Sequence, residues 1–279
     1  MIKSYSKLNL FLRVLKKLKN GMHSIQTNSV LIDLHDNISV SNTNQNKDTV
    51  ELLGRFTQDI DKKDNTIIKT LKILRRHNLI AKNKYFIITI KKNIPVFAGL
   101  GGGTGNAFYL AKYLLKKKFN KKIVKILEKG VGSDIKLFNY KQSFQKNYYK
   151  IESRKKKYNF FFVLVYPQIK SSTKEIYSKV RKFKPHKIIS IHNRLNSKNY
   201  IEFLKKEVND LQKLVEKKHK LIKNILKIID SQKGCRFSRM TGSGSTCYGL
   251  FSNNKLAAKA LRNIKKKLPK YWCVVTKTI

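Results

Sequence analysis

The sequence predicts an α+β protein of two lobes, and three observations carry that expectation. Strand-type and helix-type segments are mixed in both halves of the chain rather than segregated or strictly alternating. Residues 139–158 are polar and show neither period, which predicts a boundary and lobes of about 1–155 and 156–279. Hydrophobic residues make up 41% of the 279 residues, enough to bury a core in each lobe and to exclude a globally disordered chain. No internal repeat at solenoid periods is present.

The elements follow in order. Leu8 to Val14 reads as a strand, as do Asn28 to Leu34 and Asn37 to Ser41, with His35-Asp36-Asn37 as the turn between the last two. Asn65 to Leu79 reads as a helix, because Ile68, Leu71, Ile73 and Leu74 fall mostly at helical spacing. Tyr85 to Ile90 reads as a strand. A glycine cluster, Gly99 to Gly105, comes next. The helix after it is signalled by Ala107, Leu110, Ala111, Leu114 and Leu115 on one face. A second short helix, Ile123 to Lys129, ends at Gly130. Residues 159–166, apolar from Phe160 onward, predict a fully buried strand, stopped by Pro167. Ser172 with Glu175 three residues on reads as a capping box. Helices are expected around 200–215 and 217–231, the first placing Leu204, Val208, Leu211 and Val215 on one face. Arg236 to Met240 and Cys247 to Phe251 read as strands flanking the glycine-rich turn 241–245. Asn254 is the expected cap of the last helix, and Trp272 to Val275 closes the chain as a strand.

The net charge is +46, from 62 Lys and Arg against 16 Asp and Glu. Only 10 of those cations are Arg; the 52 Lys are scattered along the whole chain in short runs. A nucleic-acid interface predicts charge gathered on one face with interleaved aromatics. Dispersed Lys alongside abundant Asn and Ile instead fits a bias toward A/T-rich codons, so no nucleic-acid partner is expected. The longest apolar run, Phe160 to Tyr166, is far short of the ~20 residues that span a bilayer. The first seven residues show no secretory pattern, and three widely spaced cysteines suggest reduced thiols; together these predict a cytoplasmic protein without membrane partners. No His, Cys, Asp or Glu cluster has metal-site spacing.

The segment Pro95-Val96-Phe97-Ala98-Gly99-Leu100-Gly101-Gly102-Gly103-Thr104-Gly105, five of whose last seven residues are Gly, lies between a strand and a helix. That arrangement suits an anion cradle: the backbone approaches closely, consecutive N–H groups point one way, and the helix adds its N-terminal partial charge. The alternative is a tight packing turn. Neither the G-x-x-x-x-G-K-[ST] loop nor an intact G-x-G-x-x-G is present. Gly132-Ser133-Asp134 could supply a base or simply cap a helix. Lys7-Leu8-Asn9-Leu10, Gly21-Met22-His23 and the turn 241–245 say little singly.

In order along the chain, Lys7-Leu8-Asn9-Leu10, the 95–105 loop and Gly242-Ser243-Gly244-Ser245 resemble the three motifs of the galactokinase, homoserine kinase, mevalonate kinase and phosphomevalonate kinase (GHMP) superfamily. Three more segments are similar to the family of 4-diphosphocytidyl-2-C-methyl-D-erythritol kinases: Gly21-Met22-His23-Ser24-Ile25-Gln26-Thr27, Gly132-Ser133-Asp134-Ile135-Lys136-Leu137-Phe138 and Asn209-Asp210-Leu211. The resemblance implies an N-terminal lobe like domain 2 of ribosomal protein S5 and a ferredoxin-like C-terminal lobe. It implies ATP-dependent phosphorylation of the 2-hydroxyl of a cytidine diphosphate substrate in the non-mevalonate isoprenoid pathway. Lys7 and Asp134 would be catalytic, residues 95–105 would cradle ATP with Mg²⁺, and Asn9, Met22, His23 and Tyr177 would bind substrate. His23 would read the cytosine edge while Tyr177 stacks on the ring. The family usually has Tyr where this chain has Met22, a second hydroxyl where it has Gly105, and Pro where it has Lys136. Another GHMP kinase and a basic RNA-binding protein are the alternatives, and oligomeric state is not read from the sequence.

Overall fold

The computed structural model describes residues 1–61, 63–154, 156–184 and 195–279. Two compact units can be distinguished. The first comprises Met1–Lys7, Leu34–Val96 and Gly101–Asn139; the second comprises Leu8–Asp33, Phe97–Leu100 and Tyr140–Ile279. Two long strands, β1 (Ile2–Lys17) and β2 (His23–Thr43), contribute to both.

In the first unit the C-terminal half of β2 runs antiparallel to β4 (Tyr85–Lys91), with Ile38 opposite Ile90 and Val40 opposite Ile88. Strand β3 (Thr49–Leu53) lies parallel to β4, and helix α1 (Thr66–Arg76) makes the crossover between them. Alternation works as expected for a half-buried strand: Phe86, Ile88 and Ile90 face the core and their neighbours do not. That core is completed by Ile38, Val50, Ile67, Leu71 and by Leu110 of α2 (Gly102–Leu115). Helix α1 starts where Asn65 accepts hydrogen bonds from the N–H groups of Ile67 and Ile68, at 3.0 and 3.1 Å. Helix α3 (Lys121–Val131) is capped the same way by Asn120 and runs past Gly130, the expected end, to Gly132.

In the second unit, β7 (Phe161–Tyr166), β8 (Cys235–Met240), β9 (Cys247–Phe251) and β10 (Trp272–Lys277) form an antiparallel sheet in the order β10-β7-β9-β8. Its helices are α4 (Thr173–Ser178), α5 (Ser197–Lys206), α6 (Gln212–Lys218), α7 (Leu221–Asp230) and α8 (Asn254–Lys267). Ile222, Ile225 and Ile229 of α7, with Ala257, Ala260 and Ile264 of α8, pack with Val163, Val165 and Phe251 of the sheet.

Four expectations are corrected. The turn at His35-Asp36-Asn37 does not form, and β2 runs unbroken, because the Asp36 carboxylate is bonded from outside the strand by Asn93, Ile94 and Asn106. Segment 139–158 holds two short strands, β5 (Gln142–Gln145) and β6 (Ile151–Ser153); β5 pairs with Thr27–Val30 of β2, which supplies the order its polar sequence does not advertise. The single helix around 200–215 is two helices broken between Lys206 and Gln212. There Asn209 gives its amide protons to Met240 O and Gly242 O, both at 2.8 Å, and Asp210 accepts the N–H of Val14 at 2.9 Å. Val208, expected on the buried face, is consequently 43% exposed. The cap of α8 is Asn253, not Asn254, its side chain accepting the N–H of Leu256.

Candidate active site

In the first unit, Lys7 ends its share of β1 and is only 3% exposed. Its Nζ lies 3.3 Å from Oδ2 of Asp134, whose side chain is 40% exposed. Asp134 is the second residue of a short 3₁₀ segment, Ser133–Asn139, that follows the glycine ending α3. A buried ammonium is tolerable only when paired, and this partner is the one carboxylate in the motif Gly132-Ser133-Asp134.

The first turn of α2 sits against the same lysine. Gly101 is its N-cap, in the left-handed region at φ +71°, and makes no side-chain cap. A Cβ there would stand 3.2 Å from Cγ and Cε of Lys7 and 3.0 Å from the Phe138 ring, so a side chain at this position meets both strain and crowding. Gly105 N–H bonds back to Gly101 O at 2.8 Å, leaving the N–H groups of the preceding turn as the orphan donors every helix start presents. Orphan donors, the helix dipole and one buried ammonium together favour an anion. Thr104 is the only hydroxyl residue in that turn, and Pro95 and Val96 lead into the segment from the first unit.

Residues Phe97 to Leu100 group with the second unit. Gly99, at φ +76°, is pressed onto Thr241 O and Gly244 O; Thr246 N–H donates to Ala98 O at 3.2 Å and Ser171 N–H to Phe97 O at 3.3 Å. The late glycine-rich turn is therefore the seat of this half of the loop. Ser171 Oγ donates to Ser243 O at 2.6 Å, and Thr173 Oγ1 lies 3.0 Å from Ser243 Oγ. Asn9 joins the same turn: its N–H donates to Thr241 Oγ1 at 2.9 Å, while its amide nitrogen donates to Thr27 Oγ1 and Ser29 Oγ of β2.

His23 and Tyr177 come together, with ring centroids 5.0 Å apart and planes 33° from parallel. Burial, with a smaller contribution from the Lys17 charge, holds the His23 pKa below its ordinary value, so the imidazole is neutral at pH 7. Met22, beside it, is exposed, and its N–H donates to Asn20 Oδ1 at 3.1 Å. Phe183 was not singled out by sequence, yet its ring lies 6.3 Å from that of His23 and is 43% exposed. The signal was present: one aromatic among Arg181, Lys182 and Lys184, where a solvated charged run has no use for it. Asp36 and Lys92, both buried in the first unit, were missed as well.

Comparison with known proteins places this geometry. Solved structures share the fold: a 4-(cytidine 5'-diphospho)-2C-methyl-D-erythritol kinase aligns with a TM-score of 0.73 at 20% identity over 99% of this chain and 98% of its own. The L. major mevalonate kinase in complex with R-mevalonate aligns with a TM-score of 0.68 at 15% identity, over 99% and 94%. The sequence profile described as "GHMP kinases C terminal" matches residues 192–270. The α+β fold is thus that of the GHMP kinases. Curated relatives narrow it further. The 4-diphosphocytidyl-2-C-methyl-D-erythritol kinase of Pelagibacter ubique (strain HTCC1062) is 35% identical across 100% of this chain and 98% of its own length. That of Thermodesulfovibrio yellowstonii is 31% identical over 99% and 97%. The chain belongs to the 4-diphosphocytidyl-2-C-methyl-D-erythritol kinase family.

Proposed function

We propose that this protein transfers the γ-phosphoryl group of ATP to the 2-hydroxyl of 4-diphosphocytidyl-2-C-methyl-D-erythritol, giving the 2-phosphate and ADP, in the cytoplasm and without a nucleic-acid or membrane partner. The observation that carries the reading is the pair Lys7–Asp134, at 3.3 Å, set against the uncapped start of α2. Asp134, on the solvent-accessible side of the pair, takes the hydroxyl proton as the oxygen attacks the γ-phosphorus. The bond from that phosphorus to the β-phosphate oxygen breaks, and ADP leaves. Lys7, rigid because it is buried, neutralises charge growing on the attacking oxygen and the transferring group. The α2 start and the rest of residues 95–105 hold the phosphates.

Among the described residues no three His, Cys, Asp or Glu side chains gather as a metal site. Magnesium fits nonetheless, because it keeps several waters and is held largely by nucleotide phosphates, and the Thr104 hydroxyl in the first turn of α2 would offer it a further oxygen. Held there, it would supply positive charge that offsets the charge on the phosphates. In the second unit, His23 with Tyr177 is assigned to the cytosine ring, Tyr177 stacking and the neutral imidazole meeting the base edge. Asn9, through its bonds to β2 and to the 241–245 turn, holds the strand on which the substrate side is built.

An ADP-release assay across candidate alcohols tests the proposal. Turnover with the cytidyl alcohol and none with homoserine or mevalonate is expected. Turnover with either of the latter instead would keep the kinase class and overturn the substrate. Absence of an ATP·Mg²⁺ thermal shift at millimolar nucleotide would overturn both.

A further inference from the structure

We infer that Asp36 is a positioning residue for the glycine-rich segment, a single carboxylate that holds both of its ends. Asp36 lies in the middle of β2 and is 0% exposed. Its Oδ1 accepts the N–H of Asn93 at 2.8 Å and the N–H of Ile94 at 2.9 Å, the two residues just before Pro95. Its Oδ2 accepts from Asn106 Nδ2 at 3.0 Å, the residue just after Gly105, and pairs with Lys92 Nζ. The chain entering the segment and the helix leaving it are therefore tied to one side chain, all within the first unit.

Three features make this more than ordinary burial. A carboxylate removed from water needs its lone pairs filled, and here four donors converge on it, so none of them moves without exposing a cost of desolvation. Asn106 is a poor helix former inside α2, and among the described residues its amide oxygen has no partner, so its one polar attachment is to Asp36. Lys92 lies beside the helix start: a Cβ on Gly102 would be 3.5 Å from its Nζ. The carboxylate thereby balances a buried ammonium placed against the positive end of α2. A segment of five glycines has little stiffness of its own. Its orphan N–H groups converge on an anion only if the two flanks are held, and Asp36 is what holds them.

The nucleotide part of this inference rests on the phosphoryl-transfer reading; the mechanical part does not. Three variants separate them: Asn106→Ala, Asp36→Asn, and the exchange Asp36→Asn with Asn106→Asp, which returns a carboxylate and an amide to the pair in swapped positions. Each is read by amide hydrogen exchange of residues 95–105 without nucleotide, by the Kd of a non-hydrolysable ATP analogue, by the KM of the alcohol and by Tm. Asn106→Ala removes one arm and substitutes a better helix former. It should keep Tm within about 3 °C, raise exchange in 95–105 above that elsewhere in the unit, and weaken analogue binding about tenfold with the alcohol KM unchanged. Asp36→Asn should act in the same direction and more strongly, and the exchange variant should recover part of the loss. Unchanged exchange in Asn106→Ala overturns the inference, as does parallel loss of analogue binding, alcohol KM and Tm, or no recovery in the swapped pair. If the unaltered protein binds no ATP analogue, the kinase reading falls, and the hydrogen-exchange arm alone decides whether Asp36 holds the segment.

Discussion

Asp134 has the two properties a base needs: a fixed geometry, set by the buried Lys7 at 3.3 Å, and access, at 40% exposure. Asp134→Asn keeps the shape and removes the proton acceptor. Turnover should fall by about 10²–10⁴-fold while ATP affinity stays within a few-fold, read by single-turnover kinetics beside nucleotide titration. Retained activity in that variant would reassign the base. Met22 tests the substrate side. It flanks the partly buried His23 but brings a flexible thioether where the motif it resembles implies a ring. Met22→Tyr should lower the KM of the cytidyl alcohol, since a stacked aromatic pair is worth about 0.5–1.5 kcal/mol. An unchanged KM would mean that the base does not stack there.

At the scale of elements, α2 is the one whose start matters most. Its cap residue, Gly101, occupies a left-handed conformation, and an added carbon would lie closer to Lys7 and Phe138 than ordinary van der Waals contact. Gly101→Ala should therefore destabilise the protein by at least about 1 kcal/mol and displace Lys7 from Asp134, lowering kcat more than the Tm loss explains. Chemical denaturation paired with kcat measures both, and a wild-type kcat would show that Lys7 is held by something else. The broken helix between α5 and α6 makes the complementary point. Its residues carry helical periodicity, yet Asn209 and Asp210 have more to gain from Gly242, Met240 and Val14 than from another turn of helix. The Asn209-Asp210-Leu211 motif is thus a brace for the 241–245 turn.

For the whole molecule, charge and thiols set the response to solvent. Cations line the exposed faces of helices in both units: Lys69, Lys72 and Arg76 on α1, Lys121, Lys122 and Lys125 on α3, Lys255, Lys259 and Arg262 on α8. Like charges at a net +46 repel in the compact state. Raising salt from low to physiological strength shortens the screening length to about 8 Å and should raise Tm; a Tm that falls or stays level would mean that the favourable ion pairs outweigh the repulsion. The three free cysteines act at the other end of the pH scale. Burial pushes the Cys273 thiol up to about 11, Cys235 to about 12 and Cys247 higher still. The unfolded chain releases those protons first, so stability is full below about pH 8.5 and declines as pH rises beyond it. Unfolding midpoints in urea at pH 8 and pH 9.5 check the sign, with the decline smaller in Cys247→Ala.

The sequence by itself determined the fold class, most strand and helix positions and, through six ordered segments, the family. Those are carried by short-range facts: hydrophobic period, a cap residue such as Ser172, and glycines where the backbone must turn. From the sequence, +46 is expected to be no guide to chemistry, because a charge bias fills solvated faces indiscriminately. Only the tertiary structure decided which cations matter. Among the described residues the buried ones are Lys7, Lys92, Arg154 and Arg239, and two of these, Lys7 and Lys92, stand at the start of α2. A lysine at the surface is nearly cost-free, whereas one in the interior survives only if a carboxylate and the surrounding backbone are placed to receive it. Asp134 and Asp36 are those carboxylates, 127 and 56 residues away in sequence from Lys7 and Lys92. Separations of that length leave no local pattern, which is why Asp36 read as a turn until the fold brought Asn93, Ile94 and Asn106 to it.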